Sequence, residues 1–288
     1  MTYKQAVTDL IKKRFSCRNY RPQPVAAGEQ EQLRQFLSTL QTGPLGSSAR
    51  IELIAATEDD AKALKGLGTY GFIKNPRGFI AGAMPDGEKN LEDLGYMLES
   101  AVLFATDLGL GTCWLGGSFA KSNFARRIAL RPDETLPVVI ALGYDAGEKR
   151  RIDAFIRQSA GSDHRLDWEK LFFAGKFGAP LARDDAGDYA VPLEMVRLGP
   201  SASNKQPWRI VKDGNRWHFY LQRTPGYSKP LLGLVHIPDL QRLDIGIAMS
   251  HFALTSGELG LNGKWVNAQP NISLPDALTE YVVSWQEG

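Results

Sequence analysis

Cysteine is scarce in this sequence: Cys17 and Cys113 are the only two among 288 residues. Two thiols do not make a disulfide framework, and the pair fits a reducing compartment, so a cytoplasmic location is expected. Cys113 sits in an apolar run and reads as a small core residue. The four histidines, His164, His218, His236 and His251, show no metal-ligand spacing among themselves or with cysteine. That argues against a zinc enzyme. Charge of one sign is lacking too. A formal net charge of +2 spread over the whole length forms no concentrated basic face, so no nucleic-acid partner is predicted. No window approaches the roughly 20 uncharged apolar residues that a membrane helix requires, so no membrane partner is expected. Residues 1–18 alternate apolar and charged side chains, without the apolar segment of a signal peptide.

What is present is ordinary for a globular protein, 43% hydrophobic and 23% charged. The length leaves room for one large domain or two of about 150 residues. Ala6, Val7, Leu10 and Ile11 fall on one helical face, and Lys12, Lys13 and Arg14 crowd the end where cations complement the helix dipole. Helical spacing continues at 29–40, 91–108, 122–128 and 240–259. Strands are expected at 51–56, 79–83, 136–142, 217–221 and 281–285, with another starting at Arg209. The run 136–142 does not alternate, which fits a strand covered on both faces. Residues 66–71 spell G-x-G-x-x-G but follow a charged, helical-looking segment instead of a strand, so they read as a loop. Residues 111–118 resemble a P-loop without its lysine, which does not support a nucleotide triphosphatase. The polar stretch 152–190 reads as the connection between two halves, 1–160 and 161–288.

The stretch Pro200-Ser201-Ala202-Ser203-Asn204-Lys205-Gln206-Pro207-Trp208 organises the second half. Short hydroxyl and amide side chains in a Pro-bounded turn bond local backbone, or present donors and acceptors to a polar planar ligand. Taken alone the turn leaves both readings open, with Trp208 covering apolar surface beneath. The chain also repeats itself. Asp93-Leu94-Gly95 through Leu108-Gly109-Leu110 to Trp114 lies over Asp244-Ile245-Gly246 through Leu259-Gly260-Leu261 to Trp265, at a constant offset of 151 (93 to 244). Pro132-Asp133 matches Pro275-Asp276, and the turn from Gly43 to Ser48 matches that from Gly199 to Asn204. Three matches in one order argue for internal duplication.

Three groups of residues extend the pattern. Arg14-x-Ser16-x-Arg18 is followed by Tyr20 and Pro22-x-Pro24-Val25; Pro200-Ser201-x-Ser203-Asn204-x-Gln206-Pro207-Trp208 comes late. Between them stand Leu108-Gly109-Leu110-Gly111, Gly116-Gly117, and Gly143-Tyr144 leading to Lys149-Arg150. Together they resemble the motifs of the FMN-dependent nitroreductase family, above all its subgroup with two half-units fused in one polypeptide. The resemblance implies an α+β fold, with a sheet and flanking helices in each half and the halves packed as an intramolecular pseudo-dimer. It implies a chain with one composite FMN site that is complete as a monomer, with further self-association left open. Arg14, Lys149 and Arg150 would supply cations for the phosphate, Ser16 a hydroxyl, and Arg18 a positive charge at the pyrimidine edge. Pro200, Ser201, Ser203, Asn204 and Gln206 would approach from the second half, and backbone N–H groups at Gly116 and Gly117 would address the flavin N5. The first half's own turn, 46–51, lacks Asn and Gln-Pro-Trp. The second half offers Lys176-Phe177-Gly178-Ala179-Pro180 where Arg-x-Ser-x-Arg should recur, so the other site is expected to be dead. The implied function is an oxidoreductase carrying electrons from NADH or NADPH through the flavin to a small acceptor, a nitroaromatic or quinone. No protein nucleophile, acid–base pair or metal is expected, since the flavin performs the electron chemistry. The alternative is a flavin-binding or structural homologue without turnover.

Overall fold

The computed structural model describes residues 2–57, 62–147, 164–227 and 238–288. Helices α1 (Val7–Lys13) and α2 (Ala27–Thr39) precede strands β1 (Arg50–Ala55) and β2 (Gly78–Pro85). The long α3 (Asn90–Asp107) leads to β3 (Gly111–Leu115), α4 (Lys121–Arg127), β4 (Glu134–Thr135) and β5 (Val139–Gly143). These strands form one antiparallel sheet in the order β1-β2-β5-β3, with β4 paired to β2. The absence of alternation in β5 has the expected cause. Ile140 and Leu142 point into a cluster with Leu94 and Leu98 of α3, while Val139 and Ala141 point the other way, toward Phe79 and Phe124.

A second sheet follows. Strand β6 (Phe172–Ala174) and helix α5 (Ala190–Arg197) precede β7 (Trp208–Asp213) and β8 (Arg216–Gln222). The long α6 (Leu240–Glu258), β9 (Gly263–Val266) and β10 (Thr279–Glu287) complete it. The order is β6-β7-β8-β10-β9, with β6 parallel to β7 and the remaining pairs antiparallel. Trp208, Trp217, Phe219 and Trp285 bury one face against Ile245, Met249 and Phe252 of α6. The protein is thus α+β, with a sheet-and-helix layer on either side of α3 and α6. Among the described residues no helix is long and apolar enough to cross a membrane.

The two long helices meet at glycine. A methyl group at Gly95 would overlap the carbonyl oxygen of Leu243, and one at Gly246 would overlap that of Glu92. Only glycine allows backbones this close. The contacts are reciprocal, since 92 and 95 map onto 243 and 246 at the same offset. Further along, Ser100 Oγ lies 3.2 Å from Ser250 Oγ, and Glu99 Oε1 lies 3.0 Å from His251 Nε2.

Three departures from the sequence expectations stand out. Residues 111–115, where no strand was expected, form one beside β5. Helix α5 and strands β6 and β9 were not anticipated. The part of the supposed connection that is described, 164–190, belongs to the second layer: Trp168, Leu171, Phe172 and Leu181 are buried in its core. Residues 152–163 of that connection lie outside the described residues.

Candidate functional site

A cleft runs between the two layers, with about 630 Å³ of empty space including its open mouth. Ser16, Arg18, Trp114, Gly116 and Val138 line it from the first layer. Pro200, Ser201, Ala202 and Ser203 line it from the turn before β7, and Leu240, Leu243, Asp244 and Ile247 from the start of α6.

The first contribution is positioned by strand-like backbone. Ser16 bridges Thr112 in parallel, and Cys17 N–H donates to Thr112 O at 2.8 Å, which ties this segment to the start of β3. In extended chain alternate residues share a face, so Ser16 and Arg18 line the cleft while Cys17 is buried. Tyr20, also buried, donates its hydroxyl to Cys17 O at 2.7 Å and Ala141 O at 3.1 Å, locking the segment onto β5. Burial and the neighbouring Asp145 push the Cys17 thiol up to about 12, so it is no thiolate nucleophile at neutral pH. Gly116 ends β3 so close to α6 that a methyl group there would lie 2.6 Å from Leu240 Cδ2.

The second contribution is a turn with unusual backbone. Ser203, Asn204 and Gln206 have φ of 49°, 53° and 49°, all left-handed without being glycine. Such residues cost roughly 1–3 kcal/mol each and persist where the surroundings over-determine them. Here the surroundings are polar. Asn204 Nδ2 donates to His164 O at 2.8 Å, Arg165 Nη1 donates to Asn204 Oδ1 at 3.1 Å, and Leu166 N–H donates to Gln206 Oε1 at 2.8 Å. Within the turn, Gln206 N–H donates to Ser201 Oγ at 2.8 Å. From below, Ala202 N–H donates to Asp244 Oδ1 at 2.9 Å, and Trp208 is wholly buried.

The residues singled out in the sequence therefore divide. Ser16, Arg18, Gly116, Pro200, Ser201 and Ser203 come together on one cleft. Asn204 and Gln206 are directed to the 164–166 segment and hold the turn's shape. Gly117 is exposed beside the cleft and is not among its lining residues. Arg14 lies next door, in a smaller hollow with Lys13, Thr112 and Asp145, its side chain 6% exposed and its Nε 3.7 Å from Glu99 Oε1. That Nε is buried with no hydrogen-bond partner. Lys149 and Arg150 lie outside the described residues.

Sequence reasoning missed Trp114, Val138 and the α6 face of the cleft. Leu240, Leu243, Asp244 and Ile247 stand at i, i+3, i+4 and i+7, the spacing of a single helix face, but such a stripe ordinarily means core. Trp114 is held by Glu99, whose Oε2 accepts its indole N–H at 2.9 Å.

Residues 6–256 match the family described as "Putative TM nitroreductase". The fold is similar to the crystal structure of a putative nitroreductase from Thermotoga maritima, with a TM-score of 0.60 at 18% identity over 99% of this chain and 95% of that one. A putative nitroreductase in complex with FMN from Desulfovibrio desulfuricans aligns with a TM-score of 0.39 at 23% identity, over 51% of this chain and 92% of that one. A putative NADH oxidase from Clostridium acetobutylicum aligns with a TM-score of 0.40 at 22% identity, over 51% of this chain and 96% of that one. No curated protein matches this chain.

Proposed function

This chain belongs to the "Putative TM nitroreductase" family, and from that membership we propose that it is an FMN-dependent oxidoreductase with one composite flavin site per chain. The observation that carries the proposal is the cleft itself, where Ser16, Arg18 and Gly116 face Pro200, Ser201 and Ser203. The donor set fits the cofactor. A guanidinium and three serine hydroxyls surround walls made by Trp114, Val138, Leu243 and Ile247, which suits a planar ring with polar edges. Arg18 would hold the electron-rich edge, and its charge favours the reduced, anionic form, the protein's usual lever on such a group. Arg14 is the proposed phosphate cation with Lys149 and Arg150; its Nε faces Glu99 at 3.7 Å without a hydrogen bond. Asn204 and Gln206 would act by fixing the turn on which Ser201 and Ser203 sit. When bound, the flavin supplies hydride acceptance from NADH or NADPH and electron delivery to a nitroaromatic or quinone. The chain's own task is to bind, orient and exclude water, and the proposal needs no protein nucleophile.

The two layers, 1–160 and 161–288, are proposed to form an intramolecular pseudo-dimer. The reciprocal contacts of Gly95 and Gly246 support this, because a two-fold interface pairs residue i with j and j with i. A cytoplasmic location is part of the same proposal, supported by two buried cysteines that form no disulfide. The second reading is a flavin-binding or structural homologue without turnover; the packing of Leu45 and Tyr96, which match Ser201 and Ile247 of the cleft, onto the second layer's core agrees with either reading. The test separates the readings. Purified protein titrated with FMN should quench flavin fluorescence, and NADH or NADPH should bleach the bound flavin. Binding without bleaching would favour the second reading, and no FMN uptake would sink the enzyme reading and leave a structural homologue.

A further inference from the structure

Two aspartates occupy matching places in the long helices and differ in their surroundings. Asp93 of α3 accepts two main-chain hydrogen bonds, one on each oxygen: Leu45 N–H on Oδ1 at 2.8 Å and Ser47 N–H on Oδ2 at 2.7 Å. Asp244 of α6 accepts one, from Ala202 N–H on Oδ1 at 2.9 Å. Its Oδ2 is buried with no hydrogen-bond partner. The turn explains the difference. Ser203, which matches Ser47, has a left-handed φ of 49°, and its N–H is not bonded to Asp244.

A carboxylate in this position would be poorly served. The residue is 3% exposed, and among the described residues no cation pairs with it. Burying a charge without a partner is more costly than taking up a proton. Burial holds the Asp244 carboxyl well above the usual carboxylate range, Ala202 N–H opposes the shift, and the charge of Asp239 adds to it. Burial raises Asp93 as well, but two main-chain donors and the Ser47 side chain oppose it there. A protonated carboxyl has an O–H to donate and, at Asp244, nothing described in the chain to receive it. The residue nonetheless lines the cleft beside Ser16, Arg18 and Ser203, whereas its counterpart Asp93 does not.

We propose that Asp244 is a neutral carboxylic acid whose Oδ2–H donates a hydrogen bond to the molecule in the cleft. It would then select occupants that present a carbonyl oxygen or an unprotonated ring nitrogen at that wall. The identity of the occupant rests on the flavin reading; the proton on Asp244 does not. In this role Asp244 complements Arg18, the cation that lines the same cleft from the first layer.

The test combines spectroscopy with binding. Infrared difference spectra of wild type against Asp244→Asn at neutral pH should contain a protonated carboxyl C=O band, and saturating FMN should shift it. Asp244→Asn keeps an acceptor for Ala202 and a donor in place of the O–H, so its FMN affinity should stay within about threefold of wild type. Asp244→Leu keeps neither and should weaken FMN by about tenfold or more. If the leucine variant does not fold, the infrared comparison and the asparagine variant decide. No carboxylic acid band, or a band that FMN leaves unmoved, overturns the proposal. If wild type takes up no FMN, the flavin reading fails, and the spectrum of the protein alone decides whether Asp244 holds the proton.

Discussion

Glu99 is fully buried, and three groups converge on its carboxylate: Trp114 Nε1 at 2.9 Å, His251 Nε2 at 3.0 Å and Arg14 Nε at 3.7 Å. His251 Nδ1 lies 2.8 Å from the Met195 carbonyl, which can only accept, so Nδ1 carries a hydrogen. The contact on the other ring nitrogen then needs one proton shared between His251 and Glu99. Removing the carboxylate strands Arg14 and His251 in the interior. Glu99→Ala is therefore expected to destabilise the fold by about 3–5 kcal/mol, measured by urea unfolding. It should also loosen the Trp114 wall of the cleft and alter its fluorescence. Glu99→Gln, whose amide oxygen can still accept from Trp114, should lose less. None of this network was legible in the sequence, because its members come from four separate segments. Asn204 and Gln206 were legible as important but not in their role. Their left-handed backbone turns those side chains toward 164–166, which spacing alone does not reveal.

The helices α3 and α6 were legible because long apolar spacing survives whatever they pack against. Strand β3 was not, since its five residues begin at Gly111 and run straight into the Gly116-Gly117 pair, which in sequence imitates a loop. In α5, Pro192 falls in the first turn, where proline is tolerated, but in sequence it reads as a breaker. The glycines at the helix crossing lead to a sharp expectation. Gly95→Ala and Gly246→Ala each force a methyl group into backbone and should cost at least the upper part of the ~1–3 kcal/mol range for overpacking. The double variant should cost less than the sum, because one displacement already separates the helices. Gly257, in the same α6 with nothing within 4 Å of its would-be Cβ, is the control. Gly257→Ala should be neutral or stabilising by up to about 1 kcal/mol. Equal losses at all three positions in urea unfolding would contradict this account of the crossing.

At the scale of the molecule, the matching motifs of the two halves were legible in the sequence and their asymmetry only partly so. The sequence marks which motif residues each half lacks. It does not show that Leu45 and Tyr96 pack onto the second core at the places that Ser201 and Ile247 occupy in the cleft. The expected consequence is a saturation stoichiometry of one FMN per chain, read from flavin absorbance against protein concentration. Two per chain would refute the composite-site proposal.

The reciprocal contacts along the helix seam carry one more implication. Glu99 with His251, and Ser100 with Ser250, are the same pair of positions read in opposite directions, yet one joins a carboxyl group to an imidazole and the other two hydroxyls. In an assembly of two identical chains every substitution is written twice, so these two places would have to hold the same chemistry. A single covalent chain has no such obligation. Each position can change without its mirror image following, which permits a charged network on the side of Trp114 alone.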